Sequence, residues 1–216
     1  RYGPSVYEPP SVATAAGTFG TIQMPSSTGG VNWPGGSADP ETGIFYQYTK
    51  TEIGSIGLIN DPERSNMDFI RGLPSGVNRR DAALRVEGIP IVKPPWGRIT
   101  AVDLNRGEIL WQVAHGETPD NVRNHPALEG LPIPRTGQPG RVGTLVTRTL
   151  VIAGDGGGFT NEEGVRGAML RAYDKMSGEE VGAVFMPARQ SGSPMTYRVD
   201  GVQYIVVAVA AGGHPG

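Results

Sequence analysis

Four features of this 216-residue chain could do chemistry by residue type and spacing alone. The segment ETPDNVRNHP gathers Glu117, Asp120, Asn121, Arg123 and His125. Such donors could hold a metal ion, yet their spacing matches neither the EF-hand calcium loop nor a histidine pair on one helix face. A solvated, hydrogen-bonded loop is the better reading. AGDGGGF, from Ala153 to Phe159, has the glycines of a phosphate cradle, but such a cradle needs a helix to begin there. TNEEGVRG follows instead and leads to another strand, so the segment reads as a hairpin or connecting loop. His115, His125 and His214 are the only histidines, and no GxSxG elbow accompanies them, so a hydrolytic triad has little support. Finally, Asn32 and Trp33 stand side by side; from the residues alone, Asn32 is a turn-capping amide and Trp33 a core aromatic.

Composition narrows the classes further. A formal net charge of -2 provides no basic field for a nucleic-acid backbone or an anionic membrane. With no cysteine, the chain has no disulfide, thiolate metal site or cysteine nucleophile, although this does not fix its compartment. No apolar run approaches the roughly 20 residues that span a bilayer as a helix. The first residues, RYGPSVYEPPS, lack the pattern of a signal peptide and an initiator Met, which suggests an internal or processed start.

The elements that must position any site are strands. There are 33 glycines and 19 prolines, a proportion that would suggest disorder in a polar chain. Runs such as TLVTRTLVIAG and VQYIVVAVAAGG are instead Val-, Ile- and Thr-rich and bounded by glycine, as short strands are. Helical periodicity is scarce, and Pro126, Pro132 and Pro134 interrupt the one stretch that hints at it. Residues 50–95 read as an elaborated loop with one short strand pair, and residues 115–140 as a second long loop.

One spacing recurs. Asp39 and Gly43 frame DPETG, Asp103 and Gly107 frame DLNRG, and Asp174 and Gly178 frame DKMSG. An alanine precedes each Asp by one or two positions and a strand-like run follows each Gly. The Asp carboxylate can accept turn amides while Gly supplies a positive φ, so each copy predicts strand, tight turn, strand. The copies lie 64 and 71 residues apart, more than the roughly 40 to 50 of a propeller blade. Either the blades carry insertions or the motif is degenerate between copies; on spacing alone, a propeller and a generic hairpin meander are equal readings.

Longer segments distinguish the two. AVDLNRGEILWQV, from Ala101 to Val113, resembles the tryptophan-docking motif of the pyrroloquinoline quinone (PQQ) dehydrogenases, with Gly182 standing where the second copy would have its Trp. GGVNWPGGSADPETGIFY is similar to the GGxNW segment of the glucose-dehydrogenase-like branch, and SGSPMTYRVDGVQYIVVAVAAGGHPG resembles that branch's C-terminal blade. With GRITAVDLNRGEILW and RGAMLRAYDKMSGEEV, these segments occur in the family's order from Gly29 onward.

The resemblance implies an all-β fold: an eight-bladed quinoprotein propeller, present here as a partial set of blades. Residues 1–216 would form the C-terminal portion of that single domain, with inserted loops at about 50–95 and 115–140. Trp111 would pack against the neighbouring blade. Asn32 would hydrogen-bond PQQ, with Trp33 beside it, and Gly143 and Gly213 would lie at the cofactor. His214 would touch the substrate, against the plainer reading of a solvent-exposed terminal loop. Where alcohol-oxidising relatives place a Trp over the cofactor, Arg141 stands here.

The family oxidises a hydroxyl as an Asp base removes its proton and hydride passes to the quinone, with Ca²⁺ polarising the acceptor. The Asp base and Ca²⁺ ligands are expected upstream, leaving no catalytic base and no metal ligand in this chain. The implied protein is a periplasmic dehydrogenase of a sugar, polyol or alcohol, soluble or membrane-associated, passing electrons to a membrane quinone or cytochrome. Its missing blades would be a partner. The alternative is a non-enzymatic propeller with the same repeats that serves as a protein-binding scaffold.

Overall fold

The computed structural model describes residues 8–79 and 82–210. The strands are β1 (Ser11–Val12), β2 (Thr21–Gln23), β3 (Ser37–Asp39), β4 (Ile44–Lys50), β5 (Gly54–Ile59), β6 (Ile70–Arg71), β7 (Arg85–Val86), β8 (Ile89–Pro90), β9 (Gly97–Asp103) and β10 (Glu108–Ala114). A helical turn, α1 (Asp120–Arg123), and a 3-10 turn (Pro126–Leu128) precede β11 (Leu145–Val146), β12 (Leu150–Gly154), β13 (Phe159–Thr160), β14 (Arg166–Asp174), β15 (Glu180–Met186), β16 (Met195–Val199) and β17 (Val202–Val206). The chain divides into two compact units: Arg1–Gly30 with Glu52–Val92, and Val31–Thr51 with Lys93–Gly216.

In the first unit β5 is central, pairing in parallel with β1 and antiparallel with β2 and β6. β7 and β8 form a separate hairpin. Residues 50–95 thus hold more strand than the single pair expected. The reason lies outside the segment: β5 finds two of its partners in the N-terminal residues, a non-local pairing that no local pattern announces.

The second unit contains a four-stranded and a five-stranded antiparallel sheet and a further two-stranded one. The first sheet has the order β10-β9-β4-β3. In β4, Ile44, Tyr46 and Tyr48 are buried while the residues between them are less so, the period-two signature of a strand with one core face. Tyr46 pairs with Ala101 and Tyr48 with Ile99 of β9, placing aromatic and β-branched side chains on one face. The second sheet has β11-β12-β14 in order, β15 on the other edge of β14, and β13 paired to the start of β14. Side chains of the two sheets form one core: Ile44, Tyr46, Tyr48, Ile99 and Ala101 meet Val142, Val151, Ala153 and Tyr173. Each large side chain so buried contributes about 1.5–3 kcal/mol. The third sheet is represented by the β16–β17 hairpin, in which Met195, Tyr197, Val199, Val202, Tyr204, Ile205 and Val206 are exposed.

All three Asp-to-Gly segments are the tight turns their sequence predicts. The amides of Gly43, Gly107 and Gly178 donate to the carbonyls of Asp39, Asp103 and Asp174 at 2.9, 2.8 and 2.9 Å. The three glycines have φ of 70, 70 and 76°. Each Asp Oδ1 also accepts the amide two residues on, from Glu41, Asn105 and Met176. The uneven spacing has a simple origin: the first two turns belong to the same sheet, and the chain leaves it at Lys50 and returns at Gly97 after the excursion through β5–β8.

Trp111 of β10 joins the two sheets. Its Nε1 donates to the Lys175 carbonyl at 3.1 Å, and its ring covers Gly178, where a Cβ would meet ring atoms at 2.7 Å. The Tyr46 hydroxyl donates to the same carbonyl at 3.1 Å, and Lys175 Nζ pairs with the Asp39 carboxylate at 2.6 Å. The first and third turns are therefore tied by charge and hydrogen bonds. Gly182, which lacks the indole of the motif, faces open space.

Candidate functional site

Three segments that lead into β3, β11 and β16 converge in the second unit, and they contain Asn32, Trp33 and Gly143. The first is the loop Asn32 to Gly36. Asn32 Oδ1 accepts the Trp33 amide at 2.9 Å, and the Gly35 amide returns to the Asn32 carbonyl at 3.0 Å. Gln47 Nε2 donates to the Gly35 carbonyl at 3.3 Å. The turn is thus fixed by its own amides and by β4. It holds the Trp33 indole 90% exposed, against the expectation from the residues alone of a core aromatic. An apolar ring on a fixed loop, left to water, is a surface that a flat ligand can cover.

The second segment, Val142 to Thr144, lies beside the first and third. The Thr144 hydroxyl donates to the Tyr46 carbonyl at 3.1 Å and meets the Ser37 hydroxyl at 2.8 Å. Val142 bridges Gly192 in parallel, and the Gly143 amide donates to the Gly192 carbonyl at 3.2 Å. The Ser193 hydroxyl closes the set, donating to the Pro34 carbonyl of the first loop at 3.0 Å. Gly143 is buried, and a Cβ there would lie 2.2 Å from Ser193 Oγ. Close packing of two backbones is thus one demand for glycine at this position. Arg141 is exposed just before this segment. Gly213 and His214 lie outside the described residues.

Beneath these segments is a polar network that no motif announced. His115 is 0% exposed; its Nε2 faces the Gly154 carbonyl at 3.0 Å and its Nδ1 the Tyr173 hydroxyl at 2.8 Å. A carbonyl can only accept, so Nε2 carries the proton and Nδ1 accepts from Tyr173. Burial holds His115 below its ordinary pKa and pushes Tyr173 up, which keeps both neutral.

Arg171, 2% exposed, spans three carboxylates. Its Nε and Nη2 bond the two oxygens of Asp155 at 2.8 and 3.2 Å, Nη1 reaches Glu180 at 3.0 Å, and Nη2 reaches Glu117 at 2.7 Å. Burial opposes the guanidinium charge, but the Asp155, Glu180 and Glu117 contacts outweigh it and raise the Arg171 pKa. Glu117 is also pushed up by burial and more strongly pulled down by Arg171, Arg135 and Arg123, so its carboxyl sits below its ordinary value. Arg171 stands two residues before Tyr173 on β14, in phase with it, which was a legible sign of an inward-facing charge. The oxygen and nitrogen donors of the 115–140 loop are engaged likewise: Asp120 accepts from the Thr160 amide and hydroxyl and from Arg166.

Comparison with known proteins agrees with the sheet architecture. The family model for the PQQ "Glucose/ethanol/alcohol dehydrogenase, beta-propeller domain" matches residues 1–205. The chain is 32% identical over 220 residues to a Xanthomonas campestris pv. juglandis protein named "Probable quinate dehydrogenase (quinone)", covering 93% of this chain and 26% of that protein. It is 29% identical to quinoprotein glucose dehydrogenase A of Acinetobacter calcoaceticus, over 97% of this chain and 25% of the relative. Among solved structures it is similar to the quinohemoprotein alcohol dehydrogenase ADHIIG of Pseudomonas putida HK5, with TM-score 0.55 and 20% identity. That match covers 90% of this chain and 24% of the other. The chain spans about a quarter of the length of these relatives.

Proposed function

The chain belongs to the PQQ glucose/ethanol/alcohol dehydrogenase β-propeller family, and on that premise we propose that it is part of a quinoprotein that oxidises a sugar, polyol or alcohol hydroxyl. The observation that carries the site assignment is Trp33, held exposed on a loop braced by β4 and by the segment leading into β16. PQQ is a flat, fused-ring quinone edged with carbonyl and carboxylate oxygens. An exposed indole, the Asn32 amide beside it and nearby glycine backbone match such a group in shape and in polarity.

In this reading Trp33 offers its face to the ring and Asn32 orients an oxygen of the cofactor. The Val142 to Thr144 and Gly192 to Ser193 segments form the adjoining wall; from the family resemblance, Gly213 contacts the cofactor and His214 the substrate. The quinone, when bound, accepts the hydride. This chain's residues bind, orient and exclude water, while the Asp base and the Ca²⁺ ligands come from the rest of the protein. Trp111 acts as the family's docking tryptophan, a role its contacts with Lys175 and Gly178 support. The exposed strands β16 and β17 are covered by further blades. The protein works in the periplasm and passes electrons to a membrane quinone or a cytochrome.

Relatives named for quinate, glucose and glycerol make a polyhydroxylated substrate the first choice. The test is dye-linked oxidation of quinate, glucose and glycerol by the complete protein after reconstitution with PQQ and Ca²⁺. Turnover of one of them that requires both additions is expected. A protein that takes up PQQ yet oxidises no hydroxyl substrate would overturn the dehydrogenase reading.

A further inference from the structure

We infer that Gln190 is the positioning residue of this site: one buried side chain that fixes the segments leading into two successive sheets and thereby sets cofactor affinity. The inference rests on the cofactor reading given above. Gln190 is 3% exposed and lies between β15 and β16. Its Nε2 donates to the Gly143 carbonyl at 2.8 Å and to the Gly192 carbonyl at 2.8 Å. Its Oε1 accepts the Gly154 amide, and its own amide donates to the Asp155 carbonyl at 3.0 Å.

The chemistry requires an amide. Two carbonyls face Nε2 and one amide faces Oε1, so the position needs two donors and an acceptor on one planar group, which only Asn or Gln provides. A carboxylate of the same shape would satisfy Gly154 but set one acceptor oxygen against the two carbonyl oxygens of Gly143 and Gly192. Gly143 and Gly154 are buried, where an unsatisfied polar group is costly, while Gly192 lies at the exposed end of the clamp. Gly154 also joins the clamp to the core, since its carbonyl accepts from His115 while its amide donates to Gln190. The path from Tyr173 through His115, Gly154 and Gln190 to Gly143 and Gly192 is continuous.

Gly192 precedes Ser193, which holds the Pro34 carbonyl of the Trp33 loop. Loss of the clamp should therefore loosen the ligand-facing segments while leaving the sheets intact. Simple destabilisation would not have that selectivity.

The test uses the complete protein that carries this chain, with Gln190→Glu, Gln190→Asn and the core control Val151→Ala. Val151 is wholly buried in the shared core and touches none of the three segments by hydrogen bond. Two measurements are made: hydrogen exchange of peptides covering residues 142–144 and 191–193, and PQQ titration by tryptophan quenching. Gln190→Glu is expected to speed exchange in both peptides and to weaken PQQ binding at least tenfold, with Gln190→Asn recovering part of each loss. Val151→Ala should lower the denaturation midpoint and leave PQQ binding within twofold of wild type. Faster exchange in Gln190→Glu with wild-type PQQ affinity would overturn the positioning inference alone. A wild-type protein that binds no PQQ would overturn the cofactor reading instead, and the exchange result would still show whether the clamp exists.

Discussion

Replacing Arg171 with Met would remove the single guanidinium shared by Asp155, Glu117 and Glu180. The three acids would not suffer equally. The Glu117 and Glu180 side chains are 23 and 24% exposed and keep Arg123 and Arg135 as partners. Asp155 is 0% exposed and would retain only the Met169 amide, at 3.2 Å. Breaking a buried ion pair by removing one partner costs about 3–5 kcal/mol, because the other charge is left uncompensated. Concentrated on Asp155, the loss should be about 4 kcal/mol. The reasoning makes a second demand. If the cost is that of an orphaned carboxylate, adding Asp155→Val to Arg171→Met should restore about 2 kcal/mol or more, since it removes the charge with little change of volume. Urea denaturation of the wild type, Arg171→Met and the double variant measures all three. A loss below about 1 kcal/mol in the single variant, or a double variant less stable than the single, would refute this account.

Trp111→Phe should cost about 1 kcal/mol, the net worth of a hydrogen bond, because Tyr46 still satisfies the Lys175 carbonyl; Trp111→Ala should cost about 3 kcal/mol by the same denaturation assay. His115 has a depressed pKa when folded, so the unfolded chain takes up a proton that the native state refuses. Stability should therefore be full above about pH 6.5 and fall as the pH drops below it, and His115→Gln should flatten that slope in midpoints measured from pH 7 to 5. The Lys175 hydrogen bond is the main cause holding Asp39 at about 2, down from 3.8. Its contribution is present above 3.8 and lost as the pH falls towards 2, and Lys175→Met should shrink that acid limb in circular-dichroism titrations, leaving the part held by the Thr42 hydroxyl and the Glu41 amide.

The turns were the most legible part of the fold. Asp39, Asp103 and Asp174 each announce a turn because the carboxylate, the four-residue spacing and the glycine φ all act within one loop. The alternation of Ile44, Tyr46 and Tyr48 was equally local. What could not be read was pairing at a distance: β5 with the N-terminal β1 and β2, or the placing of two motif copies in one sheet. The same limit applies to the site. Family resemblance pointed to Asn32 and Trp33, but nothing local distinguished an exposed indole from a core one. Gln190 carried no signal, since its three partners lie at Gly143, Gly154 and Gly192. Arg171 was half legible, a charge in phase with Tyr173, yet its acids lie on β15 and in the loops after β10 and β12.

The central claim is that the Asn32 to Gly36 loop forms a wall of a PQQ site, and its most direct test is a PQQ titration of the complete protein and its Trp33→Ala variant. Stacking of an aromatic pair is worth about 0.5–1.5 kcal/mol beyond the area buried, so the variant should bind about two- to tenfold more weakly at unchanged stability. Wild-type binding with that loss is the predicted result. Equal affinity in the two proteins, or no binding by either, would contradict the account.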